Sequence, residues 1–290
     1  MTAPFSVIIP AHNEEAVIAR CLEALLEQAP ADALPEIIVA ANGCSDATVE
    51  VARAAAPCAT VLDLPQGSKS AAMNEGSRLA TVTPRFFLDA DVQCSYASLA
   101  ATAAVLREPG VMVASPALRM DLSRSDALVR AHYRVWQALP YATDRMVGSG
   151  LFGLSADGLQ RMGPFPPIFG DDIWVRTRFG RDERRNVSRD GSGAPVFFIV
   201  SPPRRWSDLV RIEARRRVGD EEVRRLFPSP HTARINGAGS LATALAAGAS
   251  AFDMVVYAVT KACAQARYRW NRAVGRAGRW DRDLGARELA

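Results

Sequence analysis

Short apolar runs alternate with segments of helical apolar spacing through about the first hundred residues of the chain. Runs of β-branched and other apolar residues, bounded by turn-forming residues, predict strands. The predicted strands are Ser6–Pro10, Ile37–Ala40, Thr60–Leu64 and Phe86–Asp89. Strands that alternate with helices form a parallel sheet, because each helix returns the chain to the same edge. The pattern therefore predicts an α/β fold with a mostly parallel sheet flanked by helices.

The segment between the first two predicted strands has the pattern of an amphipathic helix. Its apolar positions recur at helical spacing, at Val17, Ile18, Cys21, Leu22, Leu25 and Leu26. Asn13 belongs to the residue types that cap helix N-termini, and the carboxylates of Glu14 and Glu15 would suit the first turn. We therefore predict a crossover helix that begins just after Asn13.

The second half of the chain gives weaker signals. Gly148–Ser155 has the pattern of a strand next to glycines, and Phe169–Trp174 has that of a turn that enters a helix. After Arg178, arginine, proline and glycine become frequent. This composition predicts an irregular region followed by terminal helices.

The bulk composition limits the compartment. With 290 residues and 49% hydrophobic content, the chain can form a folded core. Its five cysteines include no C-x-x-C pair, which argues against a disulfide framework and against a zinc site. The N-terminal residues lack the basic and long apolar regions of a secretion signal. These features favour a cytoplasmic protein.

Positive charge is concentrated in two stretches, Arg204–Arg225 and Arg267–Arg282, although the net charge is only +4. Such stretches bind nucleic acid, anionic lipid or phosphate, or form solvated helix faces. The segment Leu241–Ala266 predicts a helix, and Asp253 and Lys261 within it argue against a membrane span. An apolar helix beside a basic stretch suggests peripheral contact with the cytoplasmic face of a membrane, and the alternative is a helix of the core.

Polar clusters follow three of the four predicted strands. His12–Glu15 follows the first strand, Asn42–Asp46 follows the second, and Asp89–Asp91 closes the fourth. The carboxyl ends of parallel strands share one edge, and ligands of open α/β sheets bind there. The clusters therefore predict a binding site of nucleotide size along this edge.

The motif Asp89-Ala90-Asp91 places two carboxylates at the end of a buried run. Hard oxygen ligands suit Mg²⁺ or Mn²⁺, which would bridge a pyrophosphate. The alternative for an isolated D-x-D is a helix N-cap followed by a solvated acid. Upstream, Gln66–Gly76 offers a glycine that lets the backbone approach a ligand, and Lys69 as a positive charge. The combination favours a site for a diphosphate and a divalent cation.

These motifs together resemble those of family 2 glycosyltransferases. Pro10-Ala11-His12-Asn13-Glu14-Glu15 resembles the family's opening donor-site turn, Asn42-Gly43-Cys44-Ser45-Asp46 its second donor loop, and Asp89-Ala90-Asp91 its metal-binding D-x-D. The resemblance extends through Asp172 and, more loosely, to Arg217. It implies a Rossmann-like GT-A fold over residues 1–232. Residues 233–290 would form a helical C-terminal extension, the candidate for membrane association.

The resemblance also implies contacts with the sugar donor. Nucleotide or diphosphate contacts would come from Pro10, Ala11, Asn13, Glu15, Asn42, Asp46, Lys69 and Ala90. Asp91 would hold the metal, and Asp89 would bind the ribose or assist in coordination. The family more often has an acidic residue where Asn42 stands, so uridine and guanosine carriers both stay open.

Gly170-Asp171-Asp172 resembles the family's acidic pair at the start of the acceptor-side helix. In inverting members the second carboxylate of the pair is the general base. An acceptor hydroxyl is a poor nucleophile, so a carboxylate within hydrogen-bond reach must take its proton. The resemblance thus implies Asp172 as the catalytic base with Asp171 beside it, although Asp171 alone is also a candidate N-cap. The small residues of Gly148–Gly153 would leave room for the acceptor.

Arg215 lies where many relatives carry a Q-x-x-R-W signature that reaches the diphosphate. The glutamine and the tryptophan are absent here. Arg215 therefore either stabilises the leaving group or belongs to a solvated helix face. His231 is interpreted as structural, with metal binding as the alternative.

The implied function is the metal-dependent, inverting transfer of a sugar from a nucleotide-diphosphate carrier to a hydroxyl-bearing acceptor, with Mg²⁺ or Mn²⁺ as the cofactor. The acceptor class stays open among saccharides, lipid-linked molecules and small molecules, and the sequence shows no recognised nucleic-acid motif. One alternative is a sugar-phosphate nucleotidyltransferase, whose glycine-rich N-terminal loop the sequence lacks. The other is a catalytically degenerate sugar-nucleotide-binding protein, against which the intact Asp91 and Asp172 argue.

Overall fold

The computed structural model describes residues 4–143, 145–231 and 238–275. The strands are β1 (Ser6–Ala11), β2 (Glu36–Asn42), β3 (Thr60–Leu64), β4 (Arg85–Leu88), β5 (Gln93–Cys94), β6 (Val113–Met120), β7 (Leu151–Leu154), β8 (Arg184–Val187) and β9 (Phe197–Val200). The helices are α1 (Ile18–Leu26), α2 (Thr48–Ala55), α3 (Lys69–Leu79), α4 (Tyr96–Leu106), α5 (Ala127–Ala138), α6 (Pro140–Thr143), α7 (Ala156–Met162), α8 (Asp171–Arg178), α9 (Trp206–Leu226), α10 (Ala238–Ala246) and α11 (Ala251–Ala273). A 3₁₀ helix spans Arg181–Glu183.

The strands form one mixed sheet in the order β3-β2-β1-β4-β7-β6-β9-β5, with β8 paired to β6. Strands β1 to β4 are joined by parallel pairings, whereas β7 runs antiparallel between β4 and β6. Helices lie on both sides of this sheet. The structure confirms the predicted α/β fold, in which a mostly parallel sheet is flanked by helices and followed by a helical C-terminal region.

The four strand predictions in the first part of the chain are confirmed, with bounds shifted by no more than two residues. Successive residues of a strand point to opposite faces of the sheet. In β1, Val7 and Ile9 join the apolar cluster that contains Leu22 of α1, whereas Ile8 joins the cluster that contains Met73 of α3. The sheet is therefore buried on both faces, which explains why its strands are continuous apolar runs.

The predicted start of α1 is wrong. Asn13 has a φ of 53°, and the helix begins at Ile18 after Val17. Asparagine tolerates this left-handed conformation better than most residues, because its short polar side chain can form local hydrogen bonds. Glu14 and Glu15 consequently lie in the loop before α1 rather than in its first turn.

The region after Arg178 is more regular than its composition predicts. Strands β8 and β9 pair with successive parts of β6, and α9 is 21 residues long. The pairing joins residues far apart in the chain, so local composition does not encode it.

The segment Leu241–Ala266 contains parts of two helices, not one, which corrects the sequence prediction. Gly248, with a φ of 92°, follows the end of α10. Ser250 then caps α11, since its hydroxyl accepts from the backbone N–H of Asp253 and the Asp253 carboxylate accepts from the backbone N–H of Ser250. The local glycine and capping-box signals therefore outweigh the continuous apolar composition.

The C-terminal helices pack against the rest of the chain. Helix α11 lies against α5 and α9, and α10 lies against α5. No helix within residues 4–143, 145–231 and 238–275 is both long enough and apolar enough to cross a membrane. The predicted boundary at residues 232 and 233 and the sequence from residue 276 onward lie outside the described residues, so the division into two domains stays a prediction.

Candidate functional site

Three loops meet at the carboxyl edge of β1, β2 and β3. A Cβ atom added to Gly43 would lie 2.5 Å from the backbone nitrogen of Gly67, and one added to Gly67 would lie 3.3 Å from the His12 ring. Gly43 also has a φ of 59°. The loops can approach this closely because glycine has no side chain and accepts a left-handed backbone. His12 donates from Nδ1 to the carbonyl oxygen of Asn42 at 2.5 Å, which fixes the first loop on the second.

The side chains predicted to contact the donor also join these loops to one another. The Asn13 amide donates to the Ser45 hydroxyl at 3.1 Å and accepts from the Ser45 backbone N–H at 2.7 Å. The Glu15 carboxylate accepts from the backbone N–H of Ala47 at 2.9 Å. Asp46 accepts from the backbone N–H of Glu15 at 3.3 Å. The loop that follows β1 and the loop that follows β2 therefore form one preorganised unit.

Asn42 has a structural role in this unit. Its side chain is buried, donates to the carbonyl oxygens of Ala11 and Ala40 at 2.8 and 3.1 Å, and accepts from the backbone N–H of Ser68 at 2.9 Å. An amide can make these three bonds because it has both a donor and an acceptor end. The predicted donor contact of Asn42 stays a prediction, and the observed contacts join three loops.

The remaining predicted donor-site positions on this edge belong to strand ends. Pro10 and Ala11 are the last residues of β1, and Ala90 follows β4. Ala11 and Ala90 are buried, so they could contact a ligand only through the backbone or through one side of the residue. These three residues supply no charge to this edge, and their donor contacts stay predictions.

Lys69 links the two acidic motifs. It begins α3, and its ammonium lies 2.8 Å from Asp89 and 2.9 Å from Asp171. Burial disfavours the charged ammonium, but the attraction of Asp171, Asp89 and Asp172 is stronger and raises the pKa of Lys69 well above its ordinary value. Lys69 therefore remains a cation at neutral pH. The structure brings together a lysine and acids that are far apart in the sequence.

Asp172 lies beside this cluster, against the turn that precedes β7. Its carboxylate accepts from the backbone N–H of Ser149 at 2.6 Å, and a Cβ added to Gly148 would lie 3.0 Å from its Cβ and Cγ atoms. Burial and the negative charge of Asp171 raise the pKa of Asp172 to about 7, although Lys69 opposes this shift. A carboxylate with such a pKa can accept a proton near neutral pH and release it again.

The Ser149 contact with Asp172 is a feature of this cluster that the sequence did not predict. Gly148, Ser149 and Gly150 have φ values of 105°, 63° and 99°, so three consecutive residues are left-handed. This conformation turns the Ser149 N–H toward Asp172. The Gly-Ser-Gly sequence is the signal that could have predicted the turn, because glycine is the residue type that adopts such angles readily.

The residues at the β4 end fit a metal that completes its coordination with a ligand. Within residues 4–143, 145–231 and 238–275, no group of three His, Cys, Asp or Glu side chains is arranged to hold a metal ion. Mg²⁺ is commonly held by one or two carboxylates together with substrate phosphates. The two predicted carboxylates at this end are Asp89, which is paired with Lys69, and Asp91, and the assignment of Asp91 to the metal stays a prediction.

Helix α9 packs against the start of α8, where the acidic pair Asp171 and Asp172 lies. Gly170, the residue before Asp171, lies so close to Gly219 of α9 that a Cβ added to Gly170 would be 2.9 Å from the Gly219 carbonyl oxygen. Arg215 lies one turn before Gly219 on the same face of α9, because residues four apart share a helix face. It is therefore on the α8 side of the helix, and its contact with a leaving group stays a prediction.

His231 is placed away from the acidic pair. It lies beside Gly180, which follows the C-terminal end of α8, whereas Asp171 begins the helix. A helix of eight residues separates the two positions by about 12 Å. The geometry therefore gives no support to a metal site that combines His231 with the acids at the sheet edge.

The fold is similar to those of solved glycosyltransferase structures. A mannosyltransferase from Pyrobaculum calidifontis, PcManGT, in complex with GDP-Man and Mn²⁺, is 20% identical with a TM-score of 0.64, and the match covers 94% of this chain and 90% of that one. Glucosyl-3-phosphoglycerate synthase from Mycobacterium tuberculosis, in complex with phosphoglyceric acid, is 21% identical with a TM-score of 0.54, over 78% of this chain and 80% of that one. Similarity at this identity establishes the GT-A fold.

Sequence comparison establishes the family. Among curated protein sequences, none matches the chain significantly. The sequence profile of glycosyl transferase family 2 matches residues 6–152, which is just over half of the 290 residues and includes the three loops, Lys69 and the D-x-D motif. The chain belongs to glycosyl transferase family 2 and is a glycosyltransferase.

Proposed function

We propose that the protein transfers a sugar, with inversion at the anomeric carbon, from a nucleotide-diphosphate carrier to a hydroxyl-bearing acceptor in a metal-dependent reaction. The observation that carries this proposal is the position of Asp172. It is a partly buried carboxylate with a pKa near 7, it is oriented by the Ser149 N–H, and it lies beside the Lys69 cluster at the ligand-binding edge of the sheet.

The donor is proposed to lie along the three joined loops. Asn13, Glu15 and Asp46 line the loop unit, and the ammonium of Lys69 supplies positive charge next to it. The similar mannosyltransferase structure contains GDP-Man and Mn²⁺. We therefore propose a nucleotide sugar as the donor and Mg²⁺ or Mn²⁺ as the cofactor. The carrier base stays open between uridine and guanosine.

Asp91 would hold the divalent cation, with Asp89 beside it. The chemistry that a divalent cation held there would supply is positive charge near the diphosphate of the departing nucleotide. Lys69 contributes a second, fixed positive charge in the same region. The protein's own residues would thus orient the diphosphate, and the ammonium of Lys69 would offset the negative charge of Asp89, which would otherwise repel the diphosphate.

Asp172 acts as the general base in this proposal. Its carboxylate takes the proton of the acceptor hydroxyl, the hydroxyl oxygen bonds to the anomeric carbon, and the bond from that carbon to the diphosphate oxygen breaks. The electron pair leaves with the nucleoside diphosphate. One displacement of this kind inverts the anomeric configuration, and no covalent enzyme intermediate is needed.

The general-base assignment is tested with Asp172→Asn, which keeps the size of the side chain but removes its capacity to accept a proton. A panel of nucleotide sugars with Mn²⁺ or Mg²⁺ first identifies the donor by release of nucleoside diphosphate. At saturating donor, turnover of Asp172→Asn should fall by roughly 10²–10⁴-fold, with donor affinity almost unchanged. Asp171→Asn is the matched control and should have the smaller effect. Near wild-type turnover in Asp172→Asn would contradict the assignment.

The metal assignment is tested with Asp91→Ala. Calorimetry with a nucleoside diphosphate should show binding to the wild type that requires Mn²⁺, and the variant should lose this metal-dependent component, since a carboxylate is the proposed protein ligand. If Asp91→Ala binds the nucleoside diphosphate as tightly as the wild type, and the wild type binds it equally well with Mn²⁺ and with excess chelator, the metal has no part in the proposal. Asp46→Ala, at a proposed donor contact that is not proposed to hold metal, should instead weaken the affinity while the remaining binding still depends on Mn²⁺.

A further inference from the structure

The solvent-facing surface of α10 and α11 is apolar over a long stretch. Exposed side chains of α11 include Phe252 and Val255, which are 57% and 61% exposed, and Val259, which is 45% exposed. Leu245 of α10 is 54% exposed. On α11, the exposed positions recur three or four residues apart and form one stripe along the helix: Phe252, Val255, Val259, Ala262 and Ala266. We call the exposed residues from Ala242 to Ala266 the α10–α11 face.

This face carries no exposed charge among its described residues. The charged residues of the segment, Asp253 and Lys261, are turned to the bundle, where Asp253 pairs with Arg134 and Lys261 pairs with Glu213. Every residue of the face is apolar or is an uncharged Ser, Thr or Gly. A helix surface that faces only water usually carries charge, so this face is unusual for a solvated one.

Exposed basic and aromatic residues border one end of the face. Arg267 and Arg269 are exposed, and Trp270 is 65% exposed. At 100° per residue, Arg267 and Arg269 lie on either side of the stripe, and Trp270 continues it. An apolar stripe that ends in a tryptophan between arginines is typical of helices that lie in the interface of an anionic membrane.

We propose that the α10–α11 face docks on the surface of an anionic lipid bilayer. The apolar side chains would enter the boundary between headgroups and acyl chains, Trp270 would lie at headgroup depth, and the arginines would contact anionic headgroups. The charge pattern favours lipid over a second copy of the chain, because two such faces packed together would leave the arginines without an acidic partner on the described part of the face. Helix α11 packs against α5 and α9, and the α10–α11 face points away from these contacts.

The test is flotation of the full chain with vesicles of phosphatidylcholine alone or with about one third phosphatidylglycerol. The wild type should float with the anionic vesicles and be released at high salt. Val255→Asp/Val259→Asp should reduce partitioning at least about tenfold, because charge enters the apolar stripe. Arg267→Gln/Arg269→Gln should reduce it by roughly 30-fold, at about 1 kcal/mol for each arginine.

Matched controls separate docking from general effects of charge and folding. Ala54→Asp/Ala104→Asp adds the same two charges at exposed helix positions of α2 and α4, and Arg53→Gln/Arg78→Gln removes two exposed arginines elsewhere. Both controls should float as the wild type does. Circular dichroism and donor hydrolysis without vesicles should be unchanged in all variants, so this test is independent of the catalytic assignments.

Three results would overturn the proposal. The first is failure of the wild type to bind either vesicle. The second is equal flotation of the wild type and Val255→Asp/Val259→Asp, which would place any lipid contact elsewhere. The third is a wild-type dimer that becomes monomeric in Val255→Asp/Val259→Asp without a change in flotation, which would assign the face to a second copy of the chain.

Discussion

Two partly buried clusters of charged residues lie in different regions of this protein, and their charge balance differs. At the edge of the sheet, the ammonium of Lys69 meets the carboxylates of Asp89 and Asp171, and Asp172 lies alongside. Carboxylates therefore outnumber the cation. The consequence is a pKa of Asp172 of about 7, raised by burial and by its acidic neighbours.

In the helical region the balance is reversed. Glu213 of α9 is buried, yet it pairs with Arg216 and with Lys261 of α11. Burial by itself would raise the pKa of Glu213, but the two cations outweigh it and lower the pKa to about 2. His132 of α5 lies near Glu213 and its two cationic partners. Burial lowers the pKa of His132 to about 4, so its ring stays neutral at pH 7.

The two clusters differ in how far their charges are compensated within the fold. A carboxylate that is fully compensated within the fold stabilises the native state and needs nothing from outside. An excess of carboxylates costs stability, and a bound cation or a proton relieves it, which is the condition expected at a site that binds metal or moves protons. The sheet edge meets this condition and the helical cluster does not.

The sharpest test of the comparison is removal of a carboxylate from each cluster. Glu213→Ala should lower the free energy of unfolding by roughly 3 kcal/mol, the low end for breaking a buried ion pair, because Lys261 and Arg216 keep part of their side chains in solvent. Asp172→Asn should instead stabilise the protein above pH 7. The folded state binds a proton at Asp172 more tightly than the unfolded state does, so ionisation at high pH destabilises the fold. Urea unfolding at pH 8 measures the change in the free energy of unfolding for each variant. Changes of the same sign in the two variants would contradict the comparison.

A second test disturbs the geometry of the acidic site without changing its charge. A Cβ at Gly148 would press on Asp172 at 3.0 Å, so Gly148→Ala should displace the carboxylate and lower turnover by about 10²-fold. Gly163→Ala is the control, since Gly163 also has a positive φ, of 69°, but nothing lies within 4 Å of its added Cβ. It should cost stability only. Equal turnover losses in the two variants would attribute the effect to backbone strain.

The smallest expected effect is a shift of the pH profile. The base must be ionised, so kcat/KM should rise with pH through about 7, the pKa of Asp172. Lys69→Met removes the charge that lowers this pKa and should move the acidic limb to higher pH. Asp171→Asn removes a charge that raises it and should move the limb to lower pH, each by up to about one unit. Shifts in the same direction, or an unmoved limb, would show that another group controls the profile.

Much of the site was accessible from local sequence. Parallel strands place their carboxyl ends together, so three polar clusters after three apolar runs predicted a common edge. The structure confirms that the clusters after β1 and β2 meet there, and Asp89 after β4 is joined to the start of α3 by its ion pair with Lys69. The roles of individual side chains were less accessible. Asn13, Asn42 and Asp46 carry the right chemistry for a ligand, but whether a polar group faces a ligand or a neighbouring loop depends on contacts between residues 30 or so positions apart.

By itself the sequence determined the alternation of strands and helices, the family and the sheet edge at which we propose that the chemistry lies, because apolar periodicity and short motifs are local properties of the chain. Only the tertiary structure decided that Lys69 bridges Asp89 and Asp171, that the Ser149 N–H orients Asp172, and that α11 buries Lys261 against Glu213 while it leaves Phe252 and Val255 exposed. Each of these facts joins residues distant in sequence, and burial and charge compensation arise only when the chain brings them together.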